Sequence, residues 1–133
     1  MPLTDNDEIL CVRQYRYPFS RVTLEIPAGK LDSPTEDHRE AALRELREET
    51  GASCDELVFI GEFYSSPAIL DEVIYMYYAR GLTMGSTDPD DDEFIESIRV
   101  PLADMVKMIA DGDIRDAKTQ TAVLKTALLL GKI

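Results

Sequence analysis

Three glutamates, Glu45, Glu48 and Glu49, stand within the eight residues RELREETG, Arg44 to Gly51, beside Arg44 and Arg47. If this stretch is helical, the three carboxylates share one face, an arc of roughly 100° with Arg44 at its margin. Glu45 and Glu49 then form a like-charged i,i+4 pair, which costs a helix about 0.2–0.5 kcal/mol. Two arrangements account for such a pattern. One is a solvated face laced by ion pairs between Arg44, Glu48 and their neighbours. The other is a set of hard oxygen ligands converging on divalent cations, which take a few carboxylates and share their remaining positions with water and substrate phosphates. The eight residues by themselves do not separate the two.

The elements that must position this face can be read around it. PAGKLDSPTED (27–37), with its Pro, Gly, Asp and Ser punctuation, reads as a long loop; a helix is expected over 36–50, and Gly51 supplies its stop. Ala42 and Leu46 form a stripe for the core, while the small Ala41 leaves room above the acidic face. EILCVRQY (8–15) and VTLEI (22–26) are rich in β-formers and joined through RYPFS, which suits a hairpin-like connection. ELVFIGEFYSS (56–66), EVIYMYYAR (72–80) and EFIESIRV (93–100) are further strands, and the second of these, apolar on both faces, is expected to be central. Pro101 suits the first turn of a helix to about Ala110, and Asp116 is placed to cap a last helix ending near Gly131. This alternation is too irregular for a doubly wound fold. The expected class is α/β of the α+β type, a mixed β-sheet with helices on its faces.

Composition narrows the function classes. The 133 residues, 44% hydrophobic, suffice for one compact domain over 1–133. Acidic residues number 26 against 14 basic ones, for a net charge of -12, which argues against a nucleic-acid backbone as partner. A small phosphate ester held through cations remains compatible with that charge. Cys11 and Cys54 do not suggest a disulfide framework, no charged-then-apolar leader is visible, and the apolar runs are too short to span a bilayer. The expected setting is cytoplasmic, without a membrane partner.

LEIPAGKLDSPTEDHREAALRELREETGA (24–52) resembles the Nudix box, whose pattern is Gly, five residues, Glu, seven residues, then Arg-Glu-hydrophobic-any-Glu-Glu-any-Gly-hydrophobic. Gly29, Glu36, Arg44, Glu45, Leu46, Glu48, Glu49, Gly51 and Ala52 take those places, with six residues rather than five between Gly29 and Glu36. The resemblance implies a Nudix fold and a metal-dependent pyrophosphohydrolase using Mg²⁺, with Mn²⁺ as a possible substitute. Glu45 and Glu49 would be the main metal ligands, Glu48 an additional ligand or water-orienting group, and Ala28 the donor of a backbone carbonyl. Arg44 would hold a glutamate in its productive rotamer, and Glu36 would fix the loop to the helix. A general base outside the box is also expected; Glu93, in the acidic run DPDDDE (88–93), is the candidate, with Asp92 and Asp91 behind it.

VRQYRYP (12–18), LEIPAGKLD (24–32), YSSPAILDE (64–72) and GDIRDAKT (112–119) further resemble the ADP-ribose pyrophosphatase branch, in which a proline about sixteen residues after the box, here Pro67, is the usual marker. That resemblance implies cleavage of ADP-ribose to AMP and ribose 5-phosphate. Arg16 would contact phosphate, since a guanidinium matches phosphate oxygens in bidentate fashion, and Ser66 and Glu72 are candidates for the terminal ribose. The alternatives are hydrolysis of another nucleotide sugar, such as ADP-glucose or GDP-mannose, and a non-catalytic sensing module of the same fold. His38 is expected as an exposed helix residue, and Tyr75, Tyr77 and Tyr78 as core and sheet surface. Branch members usually carry some tens of residues ahead of the equivalent of DNDEIL, so MPL reads as the tail of a strand, and a homodimer is expected to cover the sheet edge.

Overall fold

The computed structural model describes residues 1–85 and 96–133. Strand β1, Glu8–Arg16, is buried from Ile9 to Val12 on both of its faces, as a middle strand must be. It lies antiparallel between β2, Arg21–Glu25, and β5, Glu96–Pro101, with Val12 opposite Glu25 and Glu8 opposite Pro101. A 3-10 turn over Tyr17–Phe19 joins β1 to β2. β3, Ala52–Tyr64, and β4, Val73–Met84, pair antiparallel in a second sheet, with an irregularity between Phe59 and Gly61.

The α+β class, with helices on the faces of the sheet structure, is as expected; its strands form two antiparallel sheets bridged by residues 1–3. Pro2 pairs parallel with Ala79 of β4, and Leu3 pairs antiparallel with Ile9 of β1. The bonds are Leu3 N–H to the Ala79 carbonyl, 2.9 Å, and Leu10 N–H to the Pro2 carbonyl, 3.1 Å. The mixed character is therefore local to this segment, and it leaves β4 flanked on both sides, the central place its two apolar faces call for.

Helix α1, His38–Thr50, packs Leu46 against Leu10, Ala52 and Ala79. Ala41, though only 6% exposed, lines the same cleft as Glu45 and Glu49. The helix starts two residues later than expected, because Asp37 is its N-cap, accepting the Arg39 N–H at 3.0 Å, and Glu36 stays in the loop. It ends at Gly51, whose φ of 76° is the left-handed cap that glycine adopts without strain. α2, Leu102–Ala110, and α3, Ala117–Leu129, cover the other side, where Ile9, Cys11, Met76, Met105 and Val123 form the larger core. Burial holds the Cys11 thiol up at about 12, so it is a packing residue and not a nucleophile. Both cysteines are free. Among the described residues no helix is long and apolar enough to cross a membrane.

Candidate active site

The loop between β2 and α1 folds back over the acidic face, and Arg44 is its fastener. Its guanidinium donates to Glu36 Oε1 at 3.1 Å, Glu45 Oε1 at 2.8 Å, Glu48 Oε2 at 3.2 Å and the Lys30 carbonyl at 3.0 Å, and it pairs with Asp32 at 3.1 Å. Hydrogen bonding to Glu36, opposed by burial, then to Glu45, raises Arg44 further above its ordinary range. In return, the Arg44 hydrogen bond and the Asp32 N–H hold the Glu36 carboxyl below the usual carboxylate range. Glu36 thereby ties loop to helix.

Ion pairing with Arg44 accounts for Glu36, Glu45 and Glu48 but leaves two features unexplained. Glu49 is 5% exposed and accepts the Ala28 N–H at 3.1 Å, so one carboxylate of the face is turned inward against the loop. Gly29 lies so close to Glu45 that a Cβ there would stand 2.0 Å from its carboxyl carbon. A solvated face has no need of either. Among the described residues no group of three His, Cys, Asp or Glu side chains is placed to hold a metal ion as they stand. Two carboxylates and a closely approaching loop backbone nevertheless offer the oxygen donors that a hard cation takes, with Arg44 as its competitor for Glu45 and Glu48. The residues present fit a magnesium-type ion once Glu45 and Glu48 turn from Arg44.

Glu45 and Glu49 form one wall of a cleft of about 910 Å³, large enough for a nucleotide-sized ligand. Glu48 lies beside that wall, bonded to Arg44. Arg16 and Lys118 stand in the same cleft, both held by Glu25. Glu25 is 2% exposed and fully occupied: it takes Arg16 in a bidentate pair at 3.0 and 2.9 Å, the Thr23 hydroxyl at 3.0 Å and Lys118 at 3.4 Å. The Glu25 hydrogen bond, against some loss from burial, raises Arg16, which also feels Glu49. Asp116 caps α3 through the Thr119 N–H at 2.9 Å and binds Lys118 at 2.6 Å. Burial pushes its carboxyl up, but Lys118 and Thr119 together bring it below its ordinary value.

Of the other residues singled out in the sequence, Glu72 lines the cleft, whereas Ser66 and Pro67 sit in the β3–β4 turn and are not part of its lining. The Ser66 carbonyl shapes that turn by accepting the Ile69 and Leu70 N–H groups at 2.9 and 2.8 Å. Its neighbour Ser65 does line the cleft, and its hydroxyl oxygen is buried without a hydrogen-bond partner among the described residues. Glu93, Asp92 and Asp91 lie outside the described residues. Asp116 caps the last helix as its place in the sequence suggests, whereas Glu25, Lys118 and Thr119 belong to segments in which the sequence assigns them no role; a lone Glu in the strand VTLEI was the available signal.

His38 departs from its expected exposure. It is half-buried, stacked on Tyr75 at 4.1 Å and 2°, hydrogen-bonded through Nδ1 to the Tyr77 hydroxyl, and tilted against Phe59 at 5.8 Å. The start of α1 lies over β4, and an imidazole there finds aromatic rings rather than water. Tyr78 packs against the larger core, whereas Tyr77, 7% exposed, and Tyr75, 39% exposed, line the cleft.

Residues 1–121 match the NUDIX domain. The chain is 40% identical over 134 residues to an ADP-ribose pyrophosphatase of Bacillus subtilis (strain 168), covering 96% of this chain and 72% of that one. It is 41% identical to a methanol dehydrogenase activator of Bacillus methanolicus, over 91% of this chain and 66% of that one. A GDP-mannose pyrophosphatase of Yersinia enterocolitica is 33% identical, with 86% and 63% covered. The chain thus spans roughly two-thirds of the length of these relatives. The crystal structure of an ADP compounds hydrolase superposes with a TM-score of 0.86 at 27% identity, over 99% of this chain and 71% of that one. The folded-back loop, the glutamate helix and the match along nearly the whole described chain agree, and the chain belongs to the NUDIX family.

Proposed function

We propose that this chain, as one domain over 1–133, hydrolyses the diphosphate linkage of a nucleoside diphosphate sugar with the help of Mg²⁺ or Mn²⁺. ADP-ribose is the first substrate, water adding across the P–O–P linkage to give AMP and ribose 5-phosphate. The observation that carries the reading is the pair Glu45 and Glu49 held against the Ala28–Gly29 backbone at the wall of the cleft. The relatives named for ADP-ribose and GDP-mannose cleavage support the substrate class.

Each residue has work to do in that reaction. Ala28 N–H fixes the Glu49 rotamer, so that its oxygens are oriented before substrate arrives, and Gly29 lets the loop close on Glu45. Glu45 and Glu49 would hold the cation, which would supply screening of the phosphate charge and a lowered pKa for an attacking water. Arg44 keeps the remaining carboxylates from repelling one another. Arg16, locked by Glu25 along one edge of its guanidinium, retains N–H groups for phosphate oxygens. Glu93 is the proposed acceptor of the water's proton. Glu72 is proposed at the sugar end of the cleft, with the Ser66–Pro67 turn shaping that end from outside. The proposed setting is a homodimer in the cytoplasm, supported by free cysteines and by Tyr17 and Phe19, 82% and 73% exposed on the β1–β2 connection.

The test is product analysis by chromatography after incubating the chain with Mg²⁺ and ADP-ribose, ADP-glucose, GDP-mannose or a dinucleotide. AMP release from ADP-ribose ahead of the others, abolished by a chelator and lowered by orders of magnitude in Glu49→Gln with the fold intact, is expected. GDP-mannose cleaved first would move the substrate assignment, and a Glu49→Gln variant at near-normal rate would overturn the assignment of the metal face.

A further inference from the structure

The first turn of α3 grips the strand end that leads into the acidic face, and we propose that Thr119 is a positioning residue for Glu49. The proposal rests on the metal reading of that face for its function, and on separate contacts for its geometry. Thr119 is 0% exposed, and its hydroxyl has two partners. It donates to Asp116 Oδ2 at 2.7 Å and accepts the Ile26 N–H at 3.0 Å. Donation to Asp116 fixes the rotor, so the lone pairs are presented to Ile26 in one orientation. Asp116 is itself immobilised by Lys118 Nζ and by the Thr119 N–H.

Capping α3 requires only the Asp116 carboxylate and the Thr119 N–H. The bond from the hydroxyl to Ile26 adds nothing to that cap; it ties α3 to the exit of β2. Lys118 grips the preceding residue, Glu25, from the same turn. Beyond Ile26 comes Pro27, whose ring fixes φ and leaves the chain little room to absorb a shift. The next residue is Ala28, whose N–H holds Glu49 Oε2. A displacement of Ile26 therefore reaches Glu49 through one rigid residue and one hydrogen bond, without Thr119 touching cation or substrate.

The test compares Thr119→Val, nearly isosteric but without the hydroxyl, with Thr119→Ser, which keeps it. Binding of Mn²⁺ alone is measured by electron paramagnetic resonance of the free ion, beside thermal unfolding and the Mg²⁺ concentration for half-maximal ADP-ribose hydrolysis. Valine is expected to weaken Mn²⁺ binding about tenfold and to raise the Mg²⁺ requirement in parallel, the lower end of what loss of an outer partner costs a metal site. Serine is expected to restore both. A valine variant that melts earlier yet binds Mn²⁺ within twofold of the unaltered chain would show a merely structural hydroxyl and overturn the proposal. Should valine prevent folding, Thr119→Ala against Thr119→Ser decides on the same readout. An unaltered chain that binds Mn²⁺ but cleaves none of the panel would overturn the hydrolase reading while leaving the Thr119 comparison decisive; one that binds no Mn²⁺ would overturn both.

Discussion

Replacing Gly29 by alanine should separate catalysis from stability. The added methyl would lie 2.0 Å from Glu45 Cδ, 2.1 Å from Oε1 and 2.5 Å from Oε2, where ordinary contact begins at 3.4 Å. The carboxylate must therefore withdraw by about 1.4 Å. Gly29 is not among the glycines with positive φ, so alanine brings no backbone strain. The obstructing atoms are the far end of a flexible side chain, which can swing aside at the cost of its 2.8 Å pair with Arg44. That pair is partly exposed and worth under about 1 kcal/mol. Alanine also restricts the unfolded chain, which stabilises by about 0.4–1 kcal/mol. The two effects nearly cancel, and the melting temperature followed by circular dichroism should stay within about 5 °C. Catalysis should not survive as well, because displacing a catalytic group by about 1 Å costs on the order of 100-fold. AMP release from ADP-ribose at saturating Mg²⁺ measures that loss. A variant within threefold of the unaltered rate would refute the claim that the loop's approach sets Glu45. A drop of 15 °C or more would show that Gly29 serves folding instead.

Two further predictions concern the ion-pair networks. Arg44→Lys substitutes one compact ammonium for a fork that reaches Glu36, Glu45, Glu48 and Lys30 together, so urea unfolding should show a loss of about 1–2 kcal/mol and turnover should fall about tenfold; an unchanged midpoint and rate would mean that the fork is dispensable. Asp116 has a lowered folded pKa, so its contribution is fully present above the unfolded value near 3.8 and is lost as pH falls through the folded one. Asp116→Asn keeps a cap acceptor but loses the charge, and should lower urea midpoints at neutral pH while converging with the unaltered chain in acid; parallel curves down to pH 2.5 would exclude this carboxylate as a source of acid sensitivity.

The acidic face was legible in the sequence because side chains that share one helix face must keep helical spacing, and because Gly51 marks the helix end locally; the start, set by the Asp37 cap, lies two residues later than the sequence suggests. Arg44 was legible for the same reason. The joining of Glu25 to Lys118 and of Thr119 to Ile26 was not: each contact spans 93 residues of the chain, and no local pattern encodes a contact of that span. His38 escaped similarly, since polarity at a helix start suggests solvent, while its surroundings are set by β4. The division into two sheets hung on residues 1–3, too few to show an alternating pattern. Ser65 rather than Ser66 reaches the cleft because β3 ends at Tyr64, earlier than its β-rich sequence suggests, and Ser66 already belongs to the turn, where its carbonyl accepts the Ile69 and Leu70 N–H groups.

The fastening of α1 at both ends limits its torsional freedom. Its first residue, His38, is wedged between the rings of Tyr75 and Tyr77. Its cap, Gly51, returns its N–H to Arg47 at 2.8 Å and offers its carbonyl to the N–H of Gly85, at 2.7 Å, just past the end of β4. Side-chain tips ride at about 5–6 Å from a helix axis, so a roll of only 10° would sweep the carboxylates by about 1 Å. With an aromatic stop at one end and a backbone latch at the other, that roll is blocked, and the angular setting of the acidic face is fixed during folding, which leaves only side-chain rotamers to adjust afterwards.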